Sequence, residues 1–256
     1  MSSFYRQKLD IFYYLCSMKS IDLISKALDD ISDGMVFDYA DLNLPAEYLL
    51  SAAQAISRMV KSGQLRKVGK GKFYKPKFSR LGEMPPQIDC LTKDLIFKDG
   101  KRIGYLTGVQ AFAQMGLTTQ ISSKILIASN NYRRPLNRAG YNITYIKQEN
   151  NITEDNIHLL RILDAIKLIK DIPAITPDGV VSQISKILQT LTSDQIEELG
   201  NYALKYPAST RALTGAIIEN TLGKTTSLKA TLNPFTKYNI GVSERVLPNK
   251  AAWNIL

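Results

Sequence analysis

Side chains able to do covalent chemistry are sparse in this sequence. His158 is the only histidine among 256 residues, and no serine or cysteine motif stands beside it. A histidine-based triad, or a metal site needing several histidines, is therefore excluded. The carboxylate pairs Asp29-Asp30 and Glu197-Glu198 fall on expected solvent faces and read as solvated surface, not as general acids. Gly223-Lys224-Thr225-Thr226 invites comparison with a phosphate loop. A Walker loop needs a glycine five residues before Gly223, where Ile218 stands, and a strand where a helix is expected. The better reading is a glycine closing a helix. Cys16 and Cys90 lie in different contexts and imply no disulfide framework, so reduced thiols are the default. No enzyme active site, cofactor or metal is expected. Chemistry assembled from distant Asp, Glu and Lys residues is the enzymatic alternative.

What remains is the chemistry of cations toward phosphate. The formal net charge is +10, which favours a polyanionic partner. Its distribution is more telling. Arg58, Lys61, Arg66, Lys67, Lys70, Lys72, Lys75, Lys77 and Arg80 fall in a window without an acid. Residues 101–148 add seven bases, again with no acid, whereas 154–198 hold eight acids against four bases. The positive field belongs to the first ~150 residues.

These bases must be positioned by regular elements. Apolar spacing predicts a helix over Phe4–Met18 and a second from Lys19 or Ser20, with Ser20 as cap, to Ile31. Met35-Val36-Phe37 reads as a short extended piece, and Asp38 as the cap of a brief helix over Tyr39–Leu42. Asn43-Leu44-Pro45 turns into a helix over Ala46–Lys61, with Leu49, Leu50, Ala53, Ile56, Met59 and Val60 inside and Gly63 as its left-handed cap. Residues 64–68 and 72–76 flank Gly69-Lys70-Gly71 as strand, glycine turn and strand. This order is that of a winged helix-turn-helix. In such modules a helix enters the major groove and the hairpin lies against phosphates or the minor groove. A domain boundary is expected in the irregular stretch from Arg80 to Gln87, giving domains 1–79 and 80–256.

The second domain reads as mixed α/β over 80–152, helical over 153–222 and an extended tail over 223–256. Its expected elements are helices over Gln87–Phe97 and Val109–Met115, and strands over Ser123–Ala128 and Tyr141–Gln148. Helices are also expected over Glu154–Lys170 (capped by Thr153), Asp178–Leu191, Ser193–Tyr206 and Ala208–Leu222. The lone Trp253 is expected to anchor the tail in a groove. The fold class is α+β. No apolar run approaches a membrane span, and the stretch Leu9–Leu15, broken by Asp10, does not read as a signal peptide.

The run Gly63 to Lys77, with its basic strand, glycine turn and Tyr74-Lys75-Pro76-Lys77, resembles the wing of the AbiEi-like antitoxins of abortive-infection, type IV toxin–antitoxin systems. Leu106-Thr107-Gly108-Val109-Gln110-Ala111-Phe112 and Met115-Gly116-Leu117-Thr118-Thr119-Gln120 are similar to the segment following that wing. The resemblance covers about residues 18–150. It implies a cytoplasmic bacterial regulator whose winged helix binds double-stranded DNA upstream of its own operon, and a C-terminal region countering a nucleotidyltransferase-type toxin, by direct capture or by reversal of a modification. It implies no covalent chemistry in this chain.

The candidate DNA-binding residues are Tyr48, Ser51, Gln54, Arg58 and Lys61 on the recognition helix and Arg66, Lys67, Lys70, Lys72 and Lys75 on the hairpin. Arg133 and Arg134 form a second basic cluster with Tyr132 and Arg138. Ser51, Gln54 and Arg58 share a helix face. Gln reads adenine and Arg reads guanine in bidentate fashion, and phosphate contact or plain solvation is the alternative for each. The second cluster extends the footprint, meets an acidic partner, or is a surface loop. The competing function is a protein-interaction module that docks a partner toxin through the C-terminal helices, with DNA binding incidental.

Overall fold

The computed structural model describes residues 22–80 and 82–256. The expected helix over Phe4–Met18, the Ser20 cap and Cys16 lie outside them. The architecture is α+β, in two compact units, the first ending at Asp94 and the second running from Leu95 to Leu256.

In the first unit, helix α1 (22–29) turns inward on Ile24 and Leu28. Strand β1 (Val36–Phe37) follows. The brief helix expected over Tyr39–Leu42 is a turn instead. The Asp38 carboxylate accepts the amides of Ala40 and Asp41 at 2.9 and 3.3 Å, a local closure that competes with helical pairing. Pro45, at φ −54°, opens a single 3₁₀ turn (Ala46–Tyr48), and helix α2 (Leu49–Ser62) continues from it to Gly63 at φ 82°. That left-handed cap is where glycine costs least.

Strands β2 (Arg66–Gly69) and β3 (Lys72–Tyr74) form a hairpin around Lys70-Gly71. With β1 they make an antiparallel sheet of order β1-β3-β2. Phe37, Leu42, Ala52, Ile56, Leu65 and Phe73 complete the core begun by α1. A second hairpin, β4 (Lys77–Ser79) with β5 (Gly82–Met84), occupies the stretch expected to be irregular, and helix α3 (Ile88–Ile96) follows. The division between units falls inside α3, not at residue 79. Glu83 binds Arg66, and the Gln87 amide donates to the Gly34 carbonyl at 3.3 Å, so 82–94 is tied to what precedes it.

The second unit begins with a small hairpin, β6 (Phe97–Lys98) and β7 (Lys101–Arg102). Its main sheet has the order β10-β11-β9-β8. The strands are β8 (Gly104–Thr107), β9 (Lys124–Ser129), β10 (Leu136–Arg138) and β11 (Tyr141–Lys147). β9 and β11 are parallel, and the other two pairings are antiparallel. Helix α4 (Val109–Gln114) links β8 toward β9.

Four helices follow: α5 (Ile157–Lys167), α6 (Pro177–Gln189), α7 (Ser193–Ala203) and α8 (Ala208–Leu222). Thr153 does not cap α5. Asn156 holds that position and accepts the Thr153 amide at 3.0 Å. Helix α8 is the hub. Its residues from Thr210 to Ile218 are nearly all buried, and an apolar helix of that kind is stable only when surrounded.

Residues 223–256 pack against this body, burying Leu228, Tyr238, Ile240, Leu247, Trp253 and Ile255. Trp253 anchors the segment, as its size suggested. Its ring lies against Gly215, where an added Cβ would sit 2.2 Å from the ring, and its indole N–H donates to Glu219 at 2.5 Å.

A closed polar network is buried between α5, β8 and the loop after β11. The Asp164 carboxylate accepts the phenols of Tyr105 at 2.8 Å and Tyr206 at 2.9 Å. The Gln148 amide donates to both phenol oxygens, at 2.9 and 2.7 Å, and its own oxygen accepts from Asn150. Burial pushes the Asp164 carboxyl above its usual range, against the pull of the two phenols. The same burial, with Asp164 beside them, raises both tyrosines.

Candidate nucleic-acid interface

Helix α2 separates its residues sharply. Ala52 and Ile56 are buried in the core, and the opposite stripe is open. Leu50, Gln54, Ser57, Arg58 and Lys61 recur at spacings of three and four and are exposed, so they share one face. Leu49 and Leu50, expected inside, are outside at 40% and 74% exposure. Leu50 lies one helical turn before Gln54 and so falls on the open face, and Leu49 begins the helix. Ser51 and Tyr48 are half-buried at the margin. Of the five helix candidates, the structure brings Gln54, Arg58 and Lys61 together on the open face, and adds Leu50 and Ser57, which the sequence reading did not select. A helical wheel over Leu49–Ser62 places both on the face of Gln54, Arg58 and Lys61.

The hairpin bases divide into two groups. Arg66 is held by three hydrogen bonds to two partners. It donates to the Gly63 carbonyl at 2.7 Å, and its Nε and Nη2 reach Glu83 at 3.2 and 2.9 Å. The Tyr74 phenol donates to the same carboxylate at 2.9 Å. That bond and Arg66 hold Glu83 below the usual carboxylate range, while burial and Glu83 push the Tyr74 phenol up to about 12. Lys72 faces Asp38 at 3.3 Å and Asp94 at 3.9 Å. Burial works to raise the Asp38 carboxyl, but the Ala40 amide and Lys72 outweigh it and hold it low. Both cations are committed to carboxylates lying outside the acid-free window of the sequence.

Lys75 is half-buried and lines a surface dip with Asp29 and Asp33. Lys67 and Lys70 are exposed, and among the described residues neither has a hydrogen bond or ion pair; the same holds for Arg58 and Lys61 on α2. Gly71, at φ 67°, turns the tip against the Tyr39 ring, 3.8 Å from where its Cβ would be, and Tyr39 meets Phe73 edge-on. The tip is thereby braced while Lys70 points clear of the core.

In the second unit Arg133 is half-buried and donates to the Leu95 carbonyl at 3.3 Å, so it staples a loop. Arg134 and Tyr132 are exposed. Among the described residues no cluster of His, Cys, Asp and Glu has the makings of a metal site, and no helix is long and apolar enough to cross a membrane.

Comparison with known proteins gives little beyond a family. The chain is similar to the solved structure of the RV2827C protein from Mycobacterium tuberculosis, at 18% identity over 84% of this chain and 82% of that one, with a TM-score of 0.47. No curated protein matches it. A family model does match, over residues 23–199, and on that extent the chain belongs to the family of unknown function DUF6088.

Proposed function

We propose that the first unit is a winged helix-turn-helix that binds duplex DNA, and that the protein is a transcriptional autoregulator serving as the antitoxin of a type IV toxin–antitoxin pair. One observation carries the DNA reading. The open face of α2 and the hairpin tip present Arg58, Lys61, Lys67 and Lys70, all exposed and all without protein partners among the described residues. Unpaired cations beside an outward helix face suit a phosphate backbone flanking a groove. Gln54 and Arg58, one helical turn apart, have the donor geometry for adenine and guanine edges, and Leu50 offers an apolar contact of the kind a thymine methyl takes. The order helix, short strand, helix, hairpin, with β1 added to the hairpin as a third strand, supports the winged-helix assignment. The antitoxin half of the proposal rests on the resemblance of residues 63–77 and 106–120 to AbiEi-like antitoxins, with a nucleotidyltransferase-type toxin as the expected partner.

The test is a fluorescence-anisotropy titration of the full chain against the duplex upstream of its gene, with unrelated competitor, at 50 and 200 mM salt. Four neutralised phosphates predict a loss of roughly 100-fold in affinity between those salts. Failure to bind at 50 mM salt would overturn the DNA reading and leave partner docking by the C-terminal helices as the better account.

A further inference from the structure

The second unit carries an open cleft of about 590 Å³ between α7 and the loop after α8, a size typical of small-molecule sites. Three features set it apart from an ordinary surface dip. First, Lys224 extends from the loop to donate to the Ser193 hydroxyl at 2.9 Å, and it has no carboxylate partner among the described residues. Second, Thr225, also in the wall, is exposed, and its side chain has no hydrogen bond among the described residues. Third, Gly200 lies inside α7, where glycine weakens a helix. No packing atom lies within 4 Å of the place its Cβ would take. Neighbouring side chains do not require that glycine, and its bareness keeps the cleft open.

The lining is ordered by charge. Ser193, Glu197 and Asn201 all face the cleft at i, i+4 and i+8 on α7, so they form one stripe about 12 Å long. The Lys224 ammonium is at its Ser193 end, the Glu197 carboxylate stands one turn along, and the Asn201 amide two turns along. A free anion or a polyphosphate would be repelled by Glu197. A ligand with an anionic head and neutral hydroxyls one or two helical turns away satisfies both ends.

We propose that this cleft binds a phosphomonoester bearing hydroxyls, a sugar phosphate or nucleoside monophosphate. Its phosphate pairs with Lys224 and the Thr225 hydroxyl, and its hydroxyls donate to Glu197 and bond Asn201. The loop does this as the C-terminal cap of α8, with Gly223 at φ 64°, and without the geometry of a Walker loop.

The test is isothermal titration of the full chain with ribose 5-phosphate, inorganic phosphate and ribose. Trp253 fluorescence and circular dichroism would confirm that each variant folds. Ribose 5-phosphate should bind at least about tenfold more tightly than inorganic phosphate. Lys224→Met should weaken it by about tenfold or more. Glu197→Gln should weaken ribose 5-phosphate and leave or improve inorganic phosphate. Gly200→Leu should block the cleft, whereas Gly200→Ala should stabilise α7 and leave binding nearly intact. The two charge variants decide the matter even where the leucine variant misfolds. Equal binding of phosphate and ribose 5-phosphate, indifference to Lys224→Met, or no heat with any probe would each overturn the proposal.

Discussion

The polar side chains of α2 and the β2–β3 hairpin face outward, and four of their cations have no protein partner among the described residues. The polar side chains around Asp164 are closed off from solvent. Asp164, Gln148 and Asn150 are at most 3% exposed, and each is bonded to others of the group. The contrast separates two uses of polarity. A buried network whose donors and acceptors are all matched discriminates against alternative packings, because any other arrangement orphans a desolvated group. An unpaired cation on a surface costs little and stabilises little, so its presence calls for a partner outside the chain. Polarity around Asp164 is structural, and on the outer faces of α2 and the hairpin it is available for binding.

The largest effect expected on this comparison comes from Trp253, which locks residues 223–256 onto α8. Trp253→Ala removes a ring only 2% exposed and leaves a cavity over Gly215. It should destabilise the second unit by about 4 kcal/mol, read by urea denaturation followed by circular dichroism, since the chain has no other tryptophan. A loss below about 1 kcal/mol would mean that the terminal segment is a loose cover.

Asp164 comes next. Asp164→Ala orphans the phenols of Tyr105 and Tyr206 and should cost about 2–3 kcal/mol. The sign of its pH dependence follows from burial. The unfolded chain releases this proton near the ordinary value of 3.8, while the folded chain retains it to higher pH. The network's contribution is therefore greatest below that value and falls as pH rises through the window up to the raised folded pKa. Asp164→Asn keeps the shape and removes the titration. Wild-type stability relative to Asp164→Asn should decline with rising pH from about 4 upward. A rise across the same window would show that the carboxylate is favoured by its phenols more than it is penalised by burial.

Why some of this was legible in the sequence and some was not follows from the range of the interactions. Gly63 and Gly223 end their helices as expected because a left-handed cap is a local demand that one residue meets. The helices of the second unit announce themselves by spacing, and Ala208–Leu222 was expected with the bounds observed. Strands β8 and β10 were missed. The first is buried throughout and so shows no alternation, and the second is three residues long. Asp38 was read as a helix cap, but its side chain closes a turn and the helix never starts. In the candidate interface the type and number of bases were plain. Their availability was not, because the carboxylates that occupy Arg66 and Lys72 come from 17 and 34 residues away. No local pattern carries that information, and the Gly223 cap at the end of α8 likewise gives no sign in the sequence of the cleft that the following loop lines.

The smallest expected stability effects give the sharpest form of the comparison, because they lie within one hairpin. Lys70 and Lys72 are two residues apart and identical in type. Lys72 is bonded to Asp38 and approached by Asp94, whereas Lys70 is open to solvent. Lys72→Ala should lower the stability of the first unit by about 0.5–1 kcal/mol, a modest amount because the pair is only partly buried. Lys70→Ala should leave stability within about 0.5 kcal/mol. On duplex DNA the order reverses. Lys70→Ala should weaken all sequences alike and reduce the slope of log affinity against log salt by about 1. Lys72→Ala should leave that slope unchanged, since its charge is already balanced within the unit. Gln54→Ala supplies the third arm, relaxing preference for one base pair at constant salt slope. If Lys72 changes the slope as much as Lys70 does, its contacts with Asp38 and Asp94 yield to phosphate, and the division of the hairpin into structural and binding cations is wrong.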